Sequence, residues 1–212
     1  MRNRIVCTLV VAGLALLGAG SALATGFSIY EAGSRATALG CAFTATADDG
    51  SALFYNAAGL SFMQGQSVEM NAMFIRPDFA FTGKLSKTDD TQFGEAESNT
   101  FFVPGAYYTK NDGGKVAYGI GLYAPFGLGV EWQNSDTWVG RRISHDVSIE
   151  TVYVTPAVSY KANDQLALAF GLDVAHQNLN LIRTAPEPDF GANAIETEID
   201  GSSSINITPS LG

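Results

Sequence analysis

From residue 66 onward, large apolar side chains alternate with small or polar ones. Val116, Tyr118, Ile120, Leu122, Ala124 and Phe126 share one face, and Ala117, Gly119, Gly121 and Tyr123 share the other. Leu166, Leu168, Phe170, Leu172 and Val174 repeat the pattern against Ala167, Ala169, Gly171, Asp173 and Ala175. A period of two is the signature of a strand, whose successive side chains point to opposite faces. The pattern predicts strands over 66–82, 100–110, 115–126, 143–160, 165–182 and 197–211. Asn111-Asp112-Gly113-Gly114 and Ala162-Asn163-Asp164 form two tight connections, rich in residues that tolerate the positive φ of hairpin turns. The remaining connections, 83–99, 127–142 and 183–196, are long, so short and long strictly alternate.

Two architectures satisfy this alternation. In a secreted sandwich the apolar face turns to a core; in an outer-membrane barrel it turns to lipid, and the small or polar face lines the lumen. Strand length and loop order favour the barrel. Several segments exceed the mean of about 5–6 residues for globular strands and reach the roughly 9–11 that a tilted membrane crossing needs. Short periplasmic turns and longer outer loops are the barrel's habit. Tyr107, Tyr108, Tyr118, Tyr123, Phe126, Tyr153 and Tyr160 gather toward strand ends, where aromatic girdles lie. The expected fold is therefore all-β, a transmembrane antiparallel barrel. Bacterial single-chain barrels begin at about eight strands, so six strands lead us to expect a portion of a longer protein.

The N-terminus agrees with export. Arg2 and Arg4 precede an apolar run, Ile5–Gly20, and Ala22-Leu23-Ala24 offers a small-x-small cleavage site, so residues 1–24 read as a signal peptide. Among 212 residues there are 12 Lys+Arg against 21 Asp+Glu, and no basic stripe, which argues against nucleic acid as partner. Cys7 leaves with the signal and Cys41 remains without an intrachain partner. Neither histidine supports an enzyme. His145 and Ser148 are three apart and fall on opposite strand faces, and His176 has no serine near it.

Residues 46–63, TADDGSALFYNAAGLSFM, break the alternation. Asp48 and Asp49 suit the N-cap of a short helix beginning near Gly50. This stretch also carries a resemblance. Gly26-Phe27-Ser28-Ile29-Tyr30-Glu31-Ala32-Gly33-Ser34-Arg35 is followed by Ala47-Asp48-Asp49-Gly50-Ser51-Ala52 and Tyr55-Asn56-Ala57-Ala58-Gly59-Leu60. Further on come Ala124-Pro125-Phe126-Gly127-Leu128 and Trp138-Val139-Gly140-Arg141. In that order they resemble the FadL-type outer-membrane transporters of long-chain fatty acids and aromatic hydrocarbons.

The resemblance implies a fourteen-stranded barrel with an N-terminal helical hatch in its lumen. Residues 25–64 would supply the hatch, and 65–212 the first six strands. It also implies passive uptake without a cofactor or metal, by a monomer when full length, set among outer-membrane lipid and lipopolysaccharide in a Gram-negative bacterium. Hydrophobic small molecules, long-chain fatty acids foremost, would leave sideways at a kinked third strand. The residues supply a physical reason for that exit. Pro125 cannot donate to a ladder and Gly127 permits a sharp bend, which makes Ala124, Pro125, Phe126 and Gly127 the expected opening. Asp48, Asp49, Asn56, Ala57 and Ala58 belong to the expected hatch. Ala57 stands where the family pattern has proline, and Asn56-Ala57-Ala58 is expected near the third-strand gap. Phe27, Leu128, Trp132 and Arg141 are candidate cargo contacts, the last either greeting a carboxylate or pairing with Glu131 or Asp136. Alternative readings are a general porin and an outer-membrane or secreted structural β protein without transport.

Overall fold

The computed structural model describes residues 28–84, 90–186 and 194–212; the signal peptide and Phe27 lie outside them. The strands are β1 (Gly65–Ile75), β2 (Ala80–Gly83), β3 (Gln92–Glu95), β4 (Phe101–Asn111), β5 (Val116–Tyr123), β6 (Gly127–Glu131), β7 (Asp146–Asn163), β8 (Leu166–Pro186), β9 (Ala194–Ser202) and β10 (Asn206–Leu211). The main sheet is antiparallel in the order β1-β4-β5-β7-β8-β10, with β6 on β7 beyond the end of β5 and β9 on β8 beyond the end of β10. The two expected hairpins are present. Gly113 takes φ +80° while its N–H donates to Asn111 Oδ1 at 3.0 Å, and Asn163 Oδ1 accepts from Gln165 N at 2.8 Å.

Three expected boundaries change. The segment 66–82 is not one strand: β1 stops at Ile75, before Pro77, and β2 leaves the main sheet to pair with β3 inside the connection 83–99. A proline cannot supply the ladder N–H, so the chain turns off there. The segment 115–126 stops at Tyr123, and the connection 127–142 opens with β6. The segment 197–211 divides into β9 and β10.

The tertiary structure also settles which face is which. Met70, Phe74, Phe102, Ile120, Val158, Leu168 and Phe170 stand exposed on one side of the sheet. On the other, Tyr107, Ala117, Tyr123 and Ala157 pack with Ala47, Ala52, Leu53 and Leu60 of the N-terminal segment. That segment carries two short helices, Ser34–Ala38 and Ala52–Tyr55, and a 3-10 helix, Ala57–Phe62. The small residues of β5 make room for it: a Cβ on Gly121 would lie 3.1 Å from the Tyr107 ring and 3.3 Å from Leu53 Cβ. Among the described residues no helix is long and apolar enough to cross a membrane; the exposed apolar face belongs to strands.

Candidate functional site

The wall is interrupted where β5 meets β6. Strand β7 runs unbroken past both, pairing Tyr153 with Tyr123 and Glu150 with Gly127. Three residues, Ala124 to Phe126, therefore stand opposite two, Thr151 and Val152, the arrangement of a bulge. On the far side β4 pairs with β5 only from Ala106↔Leu122 to Lys110↔Tyr118. Its continuation, Phe101–Gly105, keeps β1 as partner, with no ladder to β5 or β6 among the described residues. Pro104, within that stretch, brings no N–H with which to close the gap.

A cleft of about 430 Å³ occupies this interruption. Phe102, Leu122 and Val152 reach it from the exposed face, and Val103, Tyr123 and Thr151 from the covered one. The cleft is thus lined by residues of both sheet faces. Ala124, Phe126 and Gly127 of the expected opening line it, while the Pro125 carbonyl accepts from Ile29 N at 2.8 Å. A bridge between Ser28 and Phe126 sets the start of the described chain against the break. Thr151 holds the bulge in shape. Its hydroxyl donates to Phe126 O at 2.5 Å and accepts from Phe126 N at 3.1 Å, and its own N–H donates to Phe126 O at 3.1 Å. Sequence reading gave no sign of this role, since one threonine in a long strand looks like any other. Below the cleft, Tyr107, Tyr123 and Tyr153 form a row of near-parallel rings with centroids 6.3 and 6.0 Å apart.

The N-terminal segment is tied to the covered face by polar bonds. Asn111 Nδ2 donates to the carbonyls of Leu60, Ser61 and Met63 at 3.4, 3.2 and 2.7 Å. Ser159 Oγ meets Ser61 Oγ at 2.6 Å and donates to Ala58 O at 3.1 Å. Glu69 accepts from Gly50 N at 2.8 Å, and Tyr107 donates to Ala32 O at 2.7 Å. Asp49 Oδ1 accepts from the N–H and hydroxyl of Ser51 at 2.9 and 2.6 Å, one turn before the helix Ala52–Tyr55. Asp48 instead pairs with Arg35 at 2.5 Å.

Asn56, Ala57 and Ala58 lie away from the break, beside Ala169 and Gly171 of β8 and the C-terminal residues Ser210–Gly212. Phe54, edge-on to Tyr123 at 5.2 Å, occupies the space before β5 that the sequence assigned to them. Asn56 caps the 3-10 helix, accepting from Ala58 N at 3.2 Å, and donates to Thr44 O at 3.1 Å. Asn111→Ala is expected to loosen the end of the 3-10 helix by about 1–3 kcal/mol, because buried carbonyls lose their donor. Chymotrypsin cleavage after Leu60 or Phe62 in the folded full-length protein measures it, and unchanged resistance would show the amide to be dispensable.

The candidate contacts Trp132 and Arg141 fall into the connection between β6 and β7. Trp132 stacks on Trp138, centroids 4.1 Å apart and planes 13° apart, with Phe81 edge-on to Trp138. Arg141 donates to Trp138 O at 2.9 Å and forms no ion pair among the described residues, so neither Glu131 nor Asp136 holds it. Leu128 sits on β6 opposite Ile149. None of the three lines the cleft. At the loop end of β7, burial and then the Glu131 carboxylate push the Asp146 carboxyl above its ordinary range.

Comparison with known proteins agrees with this geometry. Residues 15–209 match the family described as outer membrane protein transport protein (OMPP1/FadL/TodX). The long-chain fatty acid transport protein of Escherichia coli O6:H1 is 22% identical over 167 residues, which are 77% of this chain and 36% of that protein. A Neisseria meningitidis serogroup B protein whose name places it in the outer membrane is 30% identical over 134 residues, 59% of this chain and 28% of the relative. The chain thus spans about a third of the length of these relatives. The crystal structure of a Pseudomonas aeruginosa FadL homologue superposes with a TM-score of 0.55 at 17% identity, covering 77% of this chain and 43% of that one, a likeness of fold. An exposed apolar strand face, a covered small-residue face and a family match along nearly the whole chain converge: this chain belongs to the OMPP1/FadL/TodX family of transport proteins, with the antiparallel β-barrel fold, in the outer membrane of a Gram-negative bacterium.

Proposed function

We propose that the protein takes up hydrophobic small molecules passively, with long-chain fatty acids as the first candidate cargo and aromatic hydrocarbons as the second. The fatty-acid reading is supported by the name of the Escherichia coli relative. Residues 28–63 act as the hatch over the lumen, and Ala124–Gly127 as the lateral opening. Cargo gathers among the outer loops, passes along the aromatic row and leaves through the cleft into the hydrocarbon layer. One observation carries this reading: the cleft beside the interrupted ladder is lined by residues of both the covered and the exposed face. A general porin needs a polar, water-filled lumen, whereas here residues 28–63 cover the small-residue face. The full-length protein is read as a monomer surrounded by outer-membrane lipid and lipopolysaccharide.

The test compares uptake of labelled oleate and toluene by a deletion strain and by the same strain carrying the full-length gene. Faster uptake of either compound in the complemented strain supports transport. Equal uptake of both in the two strains would end it.

A further inference from the structure

The chemistry of the cleft also bears on which cargo it passes, an inference that rests on the transport reading above. Its lining is apolar on both sides, from Phe101 to Pro104 and from Leu122 to Ala124. Among the described lining residues the one carboxylate is Glu150, and there is no lysine, arginine or histidine. Glu150 is exposed and has the strand parity of Val152, so it sits at the rim on the apolar side of the wall. Its carboxylate takes no hydrogen bond and no ion pair among the described residues. The recess beneath the cleft shares Val103, Pro104, Tyr123 and Ala124 with it and adds a second acid, Glu31, again without a cation. Glu31 accepts from Tyr30 N at 3.0 Å, Glu69 from Gly50 N and Ser67, and Asp173 from Thr155, so of these four acids only Glu150 lacks a partner among the described residues.

We propose that Glu150 ranks the two candidate cargoes at the wall opening, passing uncharged hydrophobic molecules faster than fatty acids, whose carboxylate it repels. An unpartnered charge beside a passage with low-dielectric walls projects its field into that passage. A carboxylate leaving through the cleft meets a like charge and no compensating donor, whereas an alcohol or hydrocarbon of the same length meets only apolar contacts. Glu150 is thus a specificity-determining residue.

The experiment uses the full-length gene in a deletion strain, with labelled palmitate and labelled hexadecanol as probes of equal chain length. Uptake is normalised to the amount of protein in the outer membrane. Glu150→Gln is expected to raise the palmitate rate about fivefold relative to hexadecanol, the weight of one unit charge about 4 Å away in water-like surroundings. Glu150→Lys is expected to raise it further, by replacing repulsion with attraction. An unchanged ratio in both variants, or an equal rise for both probes, would overturn the role of Glu150 and leave transport standing. No protein-dependent uptake of either probe would overturn transport, and the selectivity with it.

Discussion

Replacing Gly127 by arginine is expected to cut uptake of hydrophobic cargo by about tenfold or more, a loss that requires only about 1.4 kcal/mol of added barrier. Gly127 lines the cleft and stands opposite Glu150 in the β6–β7 ladder. A Cβ at this position meets nothing closer than Ile29 Cδ1 at 3.8 Å and Ile149 O at 3.9 Å, so the backbone accepts a side chain without strain. Directly paired residues on neighbouring strands have Cβ atoms about 4.5–5.5 Å apart, which brings the new guanidinium within reach of the Glu150 carboxylate. That pair would lie across the opening. Gly127→Ala is the control: it adds the same Cβ without the arm and is expected to transport like the wild type. Uptake of labelled toluene, normalised to folded protein in the outer membrane, is the measurement. Full uptake by the arginine variant would remove Ala124–Gly127 from the route.

The second large effect belongs to Gly59. A Cβ there would lie 2.0 Å from the Ala47 carbonyl oxygen and 2.9 Å from Ala47 Cβ, contacts with backbone that no side-chain rotation relieves. Ala47 already has φ +32°, which leaves its peptide little freedom to retreat. Gly59→Ala is therefore expected to shift the 3-10 helix at a cost of about 1–3 kcal/mol. The shift would draw Ala58 and Ser61 from Ser159, and Leu60 from the core it shares with Tyr107 and Ala117. If residues 28–63 close the lumen, the variant in full-length protein should conduct ions across a planar bilayer where the wild type stays quiet. Gly114→Ala, at a turn with nothing within 4 Å, should leave conductance unchanged. Identical conductance in the two variants would show that the packing of Gly59 does not seal the barrel.

Local chemistry was legible along the chain because it depends on neighbours in sequence. The hairpins at Asn111–Gly114 and Ala162–Asp164 follow from turn residues, and the interruption near Pro125 from a missing N–H beside a glycine. Pro77 carried the same signal, and reading 66–82 as one strand overlooked it. Asn56 has surroundings that its own segment does not reveal. Its position beside β8 follows from Phe54 filling the space before β5. Thr151 and Pro104 were invisible for the same reason, since each acquires its role from a strand far away in sequence.

The sequence by itself determined the strand period, the order of short and long connections, and the residues where the third strand must break. A period of two assigns side chains to two faces without saying which face is wet, greasy or covered. Only the tertiary structure decided that the small-residue face receives the N-terminal segment, leaving Met70, Ile120 and Phe170 bare on the other. It also set the kink beside a gap in the ladder. A break in one strand leaves a cleft only when the neighbouring strand fails to pair across it, and that failure is a property of register, which no single segment encodes.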